Sequence, residues 1–250
     1  MLIFECVQKF TKLAEFLTLC GRHCKAMSDF SEHSQKPKRK LKRFLIFLGP
    51  QGSGKGTQAE VISEKLGLCH VSTGDLLRSA TGKLKELIES YTLKGQLAPA
   101  DIVIRIIKEK LSNEECKKGF ILDGFPRNIE QAKELDKITK IDKAVEIWIS
   151  DNEAVKRLSS RLNCRKCGSV FNLITSPPKK KGICDKCQGE LFVREDDKPE
   201  AIKKRLEIYH KETEPLLKHY SFVKINGEQQ IEKVTEDILK SLNPKSVSND

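Results

Sequence analysis

The feature that most constrains this chain is a glycine-rich run between an apolar segment and a helical one. Residues Phe44–Leu48 are continuously apolar, as in a buried parallel strand. Gly49–Lys55 follows at once as Gly-Pro-Gln-Gly-Ser-Gly-Lys, and a helical pattern then runs to Leu66. Glycines let backbone N–H groups face an anion, and the helix N-terminus adds its positive dipole. This order of strand, loop and helix predicts a phosphate-binding loop for a nucleoside triphosphate.

The loop departs from the commonest form of this motif at one position. The residue after Lys55 is Gly56, and the hydroxyl comes one place later, at Thr57. A hydroxyl directly after the lysine normally binds Mg²⁺ in GTPases and motor ATPases, so its displacement points away from those classes. We expect Lys55 to contact the outer phosphates of the nucleotide.

Beyond the loop, apolar runs alternate with helical patterns to the end of the chain. Four further strands are predicted, at 68–72, 119–123, 144–149 and 222–225. Helical segments are predicted at 55–66, 75–115, 152–162, 197–219 and 231–242. Such alternation predicts an α/β fold with a doubly wound, five-stranded parallel sheet.

The N-terminal segment differs from the rest in composition. Charged residues interrupt the apolar stretches of the first twenty residues, which excludes a secretory signal. Six of the eight residues from Lys36 to Arg43 are basic. We expect residues 1–43 to be a mobile extension of a domain that spans 44–250. An amphipathic helix, a mitochondrial-type presequence and an internal start at Met27 are the alternatives.

Two arginine-bearing turns follow the second and third predicted strands. Ser72–Arg78 reads Ser-Thr-Gly-Asp-Leu-Leu-Arg, and Asp123–Arg127 reads Asp-Gly-Phe-Pro-Arg. Parallel sheets bind ligands at the carboxyl ends of their strands, so both turns lie on the ligand side. Each arginine carries a planar fork of donors that suits a phosphate. We interpret the two turns as an acceptor site for a second phosphorylated substrate.

Four of the nine cysteines form two Cys-x-x-Cys pairs with sixteen residues between them. They are Cys164, Cys167, Cys184 and Cys187. This spacing predicts a closed four-thiolate zinc site of the structural kind, with Gly168 and Gly189 favouring tight turns beyond each pair. A redox dithiol is the alternative interpretation.

The other five cysteines show no ligand spacing. They are Cys6, Cys20, Cys24, Cys69 and Cys116. We interpret them as reduced thiols, which favours a cytoplasmic location.

Charged residues flank the cysteine-bearing segment on both sides. Arg157 and Arg161 precede it at a spacing of four, which predicts one face of a helix for both. Arg194 and Arg205 follow it, together with the pair Asp196–Asp197. We expect the two aspartates to hold these arginines by ion pairs or to act as a hinge.

Taken together, these motifs resemble those of the adenylate kinases, over about residues 43–242, in the form with a zinc-bearing lid. The resemblance implies a phosphate-loop fold with a helical AMP-binding insertion at about 72–101 and a zinc lid at about 163–195. It also implies reversible phosphoryl transfer from MgATP to AMP, giving two ADP. AMP's phosphate is already anionic near neutral pH, so alignment and charge neutralisation suffice for catalysis.

The resemblance also assigns roles to individual residues. The implied ATP-binding residues are Gly52, Ser53, Gly54, Lys55, Gly56, Thr57, Arg161, Val170, Phe171 and Gln229. The implied AMP-binding residues are Thr73, Arg78, Gln96, Leu97, Ala98, Gly124, Phe125, Pro126, Arg127, Gln131, Arg194 and Arg205. The implied catalytic residues are Lys55, Arg127, Arg157, Arg161, Arg194 and Arg205. Asp123 either fixes a water on Mg²⁺ or serves as a structural cap beside the loop.

Two other functions stay open at this point. One is a UMP/CMP kinase or another monophosphate kinase. Gln131 favours AMP over these alternatives, because its amide suits the adenine edge. The other is a phosphate-loop protein whose zinc ribbon binds RNA or DNA, an idea that the net charge of +11 supports. We expect ATP, AMP and ADP as partners, no nucleic acid, no membrane, and a monomer in the cytoplasm.

Overall fold

The computed structural model describes residues 43–93 and 96–242, so positions 1–42 of the expected extension lie outside the described residues. Five strands form the central sheet: β1 (Phe44–Leu48), β2 (Cys69–Ser72), β3 (Phe120–Asp123), β4 (Lys143–Trp148) and β8 (Phe222–Asn226). Their order is β2-β3-β1-β4-β8, and every neighbouring pair is parallel. The predicted five-stranded parallel sheet is confirmed.

Eight α-helices lie in the described residues: α1 (Lys55–Leu66), α2 (Thr73–Arg78), α3 (Gly82–Thr92), α4 (Ala100–Ser112), α5 (Ile129–Ile138), α6 (Asp151–Ser159), α7 (Pro199–Ile208) and α8 (Ile231–Leu242). Within these residues no helix is long and apolar enough to cross a bilayer.

The single helix expected at 197–219 is divided. A 3-10 turn at Glu195–Asp197 precedes α7, a π turn at Tyr209–Thr213 follows it, and a second 3-10 turn covers Glu214–Lys218. Pro199 and Pro215 explain the interruptions, because proline lacks the N–H that a helix interior requires.

Both faces of the sheet are covered by apolar packing. On one face Ile46 and Leu122 pack with Ile107 of α4 and Leu135 of α5. On the other face, buried residues of β1, β3 and β4 pack with α1 and α8. Strands buried on two faces are continuously hydrophobic, which is why the sequence pattern located them so closely. The phosphate loop leaves β1, the central strand of this sheet.

The cysteine-bearing segment forms a small sheet of its own, which the sequence did not predict. Its strands are β5 (Arg161–Cys164), β6 (Val170–Asn172) and β7 (Leu191–Phe192), in the antiparallel order β6-β5-β7. We call residues 161–195 the lid.

The helix expected at 152–162 ends earlier, at Ser159. Ser160 donates through its hydroxyl to the carbonyl of Lys156 at 2.9 Å, and Asn172 donates to the carbonyl of Arg157 at 2.9 Å. These side chains bind the last carbonyls of α6 and release the chain into β5. The expectation that Arg157 and Arg161 share one helical face is therefore wrong, because Arg161 begins a strand.

A disulfide joins Cys69 to Cys116, with their Cα atoms 5.0 Å apart. The expectation of reduced thiols is therefore wrong for these two residues. Cys69 begins β2, and Cys116 begins the 3-10 turn Cys116–Lys118 that precedes β3. The pairing of β2 with β3 brings them together across 47 positions of sequence, which no local spacing reveals.

Candidate active site

The phosphate loop turns tightly against β4. Gly49 has a φ of +146°, and a Cβ at this position would lie 2.1 Å from the carbonyl oxygen of Ile147. Gly54, the N-cap of α1, has a φ of +91°, a region that favours glycine. No side chain caps α1, and its first turn has no acidic residue, whereas Asn128 caps α5. The N-terminal N–H groups of α1 are thus left for an anionic ligand.

Lys55 lies over the loop that it follows. Its Nζ donates to the carbonyls of Gly49 at 2.9 Å and Pro50 at 2.8 Å. Burial, together with the charges of nearby arginines, lowers the pKa of Lys55 to about 8, although Asp123 opposes the shift. An ammonium that is desolvated and surrounded by cations gains strongly from a polyphosphate.

The predicted acceptor residues come together at one cleft between β2, β3 and the insertion. Its lining includes Thr73, Leu77, Thr92, Gln96, Leu97, Ala98, Val103, Gly124, Arg127 and Gln131. Thr73 Oγ1 is buried and has no hydrogen-bond partner among residues 43–93 and 96–242. A buried hydroxyl without a partner is costly, so this atom suits a ligand.

Gln131 and Arg127 are coupled in this cleft. The side-chain oxygen of Gln131 accepts from the backbone N–H of Arg127 at 2.8 Å, which leaves one lone pair and the NH₂ group for a base. Arg127 Nε donates to the carbonyl of Gly124 at 2.8 Å, and burial lowers the pKa of this guanidinium. The arginine is therefore held in place before any phosphate binds.

Three other predicted acceptor residues have different surroundings. Phe125 is fully buried in the core, so it can reach a ligand only through its backbone. The bond from Phe125 to Pro126 is cis. Arg78 is about half exposed and pairs with Asp75 at 2.5 Å. It lies over Gly74, where a Cβ would come within 3.0 Å of its guanidinium.

Three predicted arginines converge on two aspartates at the base of the lid. Arg161 binds Asp197 with two N–H groups, from Nε at 2.8 Å and from Nη2 at 2.5 Å. Arg194 binds Asp196 in the same way, at 2.8 and 2.6 Å. Arg205 contacts both carboxylates, each at 3.2 Å. We call these five residues the arginine cluster; it carries one more positive than negative charge.

The arginine cluster also affects the titration of its members. The Asp197 side chain is fully buried. Burial lowers the pKa of Arg205 to about 10, with Asp196 opposing the shift. The pKa of Asp196 falls to about 2, because the neighbouring arginines outweigh the opposing effect of burial. The expectation that the aspartates hold the arginines by ion pairs agrees with this geometry.

Arg157 lies apart from the arginine cluster. Its Nε donates to Glu153 at 2.7 Å, and its Nη1 donates to the carbonyl of Gly227 at 3.0 Å. Gly227 stands in the same turn as Gln229, whose amide donates to the carbonyl of Asn226 at 2.9 Å. Arg157 is therefore near the predicted ATP residue Gln229.

The two predicted ATP residues of β6 have opposite exposures. The Val170 side chain is about half exposed, whereas Phe171 packs inside the lid with Leu191 and two of the cysteines. Val170 is thus open to a ligand, and Phe171 is a core residue of the lid.

The four lid cysteines form one cluster. All four Sγ atoms lie within 4.8 Å of one another; Cys164 is 3.4 Å from Cys187, and Cys167 is 3.6 Å from Cys184. All four are unbonded thiols. Four soft donors from two turns suit zinc in tetrahedral coordination.

The two turns of this cluster are built alike, with one difference. Gly168, with a φ of +72°, donates its N–H to the carbonyl of Cys164. The equivalent residue of the second turn is Gln188, with a φ of +60°, which donates to Cys184. Gly189 was expected to favour this turn; its actual role is to leave room, since a Cβ there would lie 3.0 Å from Cys164 Sγ.

Asp123 and Thr57 lie beside the start of α1. A Cβ on Gly56 would come 3.2 Å from Asp123 Oδ2, so the glycine lets this carboxylate approach the loop. His70 Nε2 is 3.7 Å from Asp123 Oδ2, and the side-chain carboxylate of Asp123 accepts no hydrogen bond within the described parts of the chain. This leaves the carboxylate available to a hydrated cation.

One contact between the lid and the sheet domain was missed. Lys186, inside the second Cys-x-x-Cys pair, lies 3.1 Å from Glu60 on the exposed side of α1. Both side chains are more than half exposed, and 126 positions separate them. Lys186 occupies a variable position of its Cys-x-x-Cys pair and Glu60 belongs to no motif, so no sequence signal could have found the contact.

Comparisons with known proteins agree with this geometry. A family model described as adenylate kinase matches residues 47–225. The adenylate kinase of Caldicellulosiruptor bescii is 47% identical over 210 residues, which cover 79% of this chain and 98% of that protein. That of Archaeoglobus fulgidus is 46% identical over 206 residues, or 78% and 95%. That of Methanocella arvoryzae is 45% identical over 208 residues, or 78% and 96%.

Proposed function

This chain belongs to the adenylate kinase family, and from that premise we propose how its residues divide the work. The protein is a phosphotransferase that converts ATP and AMP reversibly to two ADP. We place ATP at the phosphate loop and AMP in the cleft lined by Thr73 and Gln131. The observation that carries this placement is the convergence of both arginine-bearing turns beside one uncapped helix N-terminus.

We assign ATP's phosphates to the loop amides and Lys55. The supporting features are the uncapped start of α1, the glycines with positive φ and the depressed pKa of Lys55. Gly52, Ser53, Gly54, Gly56 and Thr57 complete this half of the site. Kinase activity implies Mg²⁺ with ATP, and the ion would neutralise phosphate charge. Asp123 and Thr57 are the residues that we propose to orient its waters.

The adenosine of ATP lies, in our proposal, between the lid and the turn at 226–230. Arg157 contacts that turn and Gln229 belongs to it, while the Val170 side chain is exposed on the lid. Arg157 therefore binds the donor nucleotide, although the sequence placed it over the phosphate in transfer.

We propose that the transferring phosphoryl group is neutralised by Arg127, by Arg161 and Arg194 of the lid, and by Arg205 of α7. Their carboxylate partners hold the guanidinium planes in fixed orientations, and such preorganised donors lower the barrier without reorganisation during the reaction. AMP's phosphate oxygen attacks ATP's γ-phosphorus, and the bond to the β-phosphate oxygen breaks. Arg78 holds the AMP phosphate from the opposite side.

We propose that the enzyme's selectivity for AMP depends on Gln131. Its NH₂ group and its remaining lone pair suit adenine N1 and N6, and the Arg127 N–H fixes the amide orientation. The backbone at Gln96–Ala98 completes the cleft. We regard 72–101 as the AMP-binding insertion and 163–195 as the zinc lid of a domain that spans 44–250.

The decisive experiment measures ADP formation in a coupled assay with AMP, GMP, CMP and UMP as acceptors. AMP should exceed each of the others by roughly 100-fold in kcat/KM, because a buried amide left unpaired is costly. A preference for UMP or CMP would assign the site to a pyrimidine monophosphate kinase instead. As a matched control for the role of Gln131, Gln96→Leu removes another amide that lines the cleft and should not relax the choice of base.

We further propose a structural zinc ion on the four lid cysteines, where it would cross-link two turns and take no part in the chemistry. We also propose that the protein is a monomer, that it is located in the cytoplasm and that it binds no nucleic acid. Light scattering checks the monomer. Salt-dependent binding of oligonucleotides at physiological salt would reopen the nucleic-acid interpretation.

A further inference from the structure

The Cys69–Cys116 pair occupies a special place in the chain. Cys69 stands three residues before Ser72, where the AMP-binding insertion begins, and Cys116 follows the end of α4. All of α2, α3 and α4 lies between the two cysteines. The cross-link therefore closes one loop around the whole insertion, at the end of the sheet opposite the nucleotide site.

The surroundings of the pair favour its formation. Cys69 donates its backbone N–H to the carbonyl of Gly119 at 3.0 Å, so strand pairing holds it beside the turn that contains Cys116. A Cα separation of 5.0 Å lies in the range that disulfides occupy. Since the backbone of the fold already sets this distance, the reduced and oxidised forms can share one fold.

The two cysteines differ in access. Cys116 is only 1% exposed, and its side chain belongs to the core cluster, whereas Cys69 is partly exposed. A carboxylate oxygen of Glu115 lies within 4.8 Å of both sulfurs, but Glu115 forms an ion pair with Lys110. A metal would have to break that pair and would find only two sulfur donors, so covalent chemistry suits the site better.

We propose that Cys69 and Cys116 form a reversible thiol–disulfide site that controls how readily the AMP-binding insertion opens. A small-molecule disulfide, such as oxidised glutathione, is the oxidant. The Cys69 thiolate attacks it, forming a mixed disulfide and releasing one small thiol. The Cys116 thiolate then attacks Cys69 Sγ and releases the second thiol. The protein loses two electrons and two protons, and the reagent disulfide gains them.

The consequence for the insertion follows from chain entropy. In the reduced protein, α2, α3 and α4 can detach as a unit from the core that they share with β2 and β3. The cross-link shortens the span available to the detached segment and so disfavours the open state. Oxidation therefore rigidifies the acceptor side and leaves the phosphate loop, which follows β1 and lies outside the closed loop from Cys69 to Cys116, as it was.

The test uses the full chain with its lid metal, in a background where Cys6, Cys20 and Cys24 are replaced by serine. The protein is equilibrated in oxidised or reduced glutathione, blocked with N-ethylmaleimide, digested, and mapped by mass spectrometry. We expect a cross-linked peptide containing Cys69 and Cys116 in the oxidised sample alone. The melting temperature of the oxidised protein should exceed that of the reduced protein by an amount on the order of 10 °C. Amide exchange in α2, α3 and α4 should be slower by about tenfold.

The matched control is Cys69→Ala, which keeps every lid cysteine. Because Cys69 is partly exposed, this variant should fold, and it should give equal melting temperatures and exchange rates in the two buffers. Separate blocking of both cysteines after oxidation would overturn the proposal. So would a buffer effect of equal size in Cys69→Ala. Neither readout needs a nucleotide, so a failed acceptor assay would leave this result intact.

Discussion

The sheet domain and the lid reach order by different means. The sheet buries two large apolar clusters, one on each face, and its phosphate loop is fixed by the backbone against β4. The lid buries only Cys164, Phe171, Cys184 and Leu191, so half of its buried core consists of cysteines. Its base is held by ion pairs of the arginine cluster rather than by apolar packing.

This contrast teaches which parts of the site exist before substrate arrives. The donor loop and Arg127 are preorganised by the core and need no ligand to take up their positions. The lid is ordered by its cysteine cluster and by ion pairs, which depend on charge and protonation. Substitutions in the sheet domain should therefore separate activity from stability, whereas substitutions in the lid should change both together.

The sharpest separation is expected for Lys55→Met, which keeps the buried stem and removes the charge. Turnover should fall by about 10³-fold or more, because the phosphates lose their mobile cation in a desolvated site. The melting temperature should stay the same or rise, since a desolvated ammonium is removed. Lys65→Met, at the exposed end of the same helix, is the control and should change neither. Near-normal turnover of Lys55→Met would remove the assignment of Lys55.

The lid should behave in the opposite way when Cys164 and Cys184 are both changed to serine. The measured zinc content should fall from about one ion per chain to near zero. Protease cleavage in the lid should rise by about 100-fold, while the main thermal transition of the sheet domain persists. The sheet domain serves as the internal control. If metal content and lid protection stayed unchanged, the structural zinc proposal would fail.

Asp197→Asn tests the arginine cluster at the junction of the two regions. The substitution removes the buried partner of Arg161 and Arg205, so kcat should fall by roughly 10- to 100-fold and stability by about 3 kcal/mol. Glu195→Gln is the control, because Glu195 is exposed and, among the residues that the structure describes, pairs only with Lys198. Equal effects of the two substitutions would show that the cluster does not orient the arginines.

A pH profile distinguishes the regions without mutation. The folded pKa of Lys55 is depressed to about 8, so the free enzyme holds the ammonium below that pH and loses it above. The kcat/KM for ATP should therefore be level below pH 8 and fall by about tenfold per unit above it. Lys55→Arg, which stays charged, should move the fall to higher pH. A fall at pH 8 that persists in Lys55→Arg would assign it to another group.

The smallest effect is expected from the contact between Lys186 and Glu60. Both groups are largely exposed, so Lys186→Ala should raise the KM for ATP by only about two- to threefold, and less at high salt. Lys166 occupies the same place in the first Cys-x-x-Cys pair and provides the control, because it forms no ion pair within the described residues. Indistinguishable values for Lys166→Ala and Lys186→Ala would show that the contact does not assist closure.

The sequence predicted best where structure is locally determined. Strand β1 and helices α1 and α8 have the bounds that their patterns indicated, because buried strands and strongly patterned helices carry their own signal. The four lid cysteines and the residues of the cleft lined by Thr73 and Gln131 were found by motif, and they do meet in space.

Predictions failed where distant residues decide the structure. The end of α6 depends on Asn172, which lies in another strand, and the Cys69–Cys116 bond depends on strand pairing. In the second cysteine turn the left-handed residue is Gln188, which propensity alone would not select. Each of these features reflects tertiary contacts that override local preference.

The helices that flank the lid also explain how such a segment can change over evolutionary time. Helices α6 and α7 pack against each other, with Ala154 and Leu158 meeting Ile202 and Leu206, so the chain leaves and re-enters the core at one seam. Nothing in the central sheet depends on what is spliced between them. Lineages could lengthen the insert, or exchange its four cysteines for other polar contacts, and inherit the rest of the enzyme unaltered.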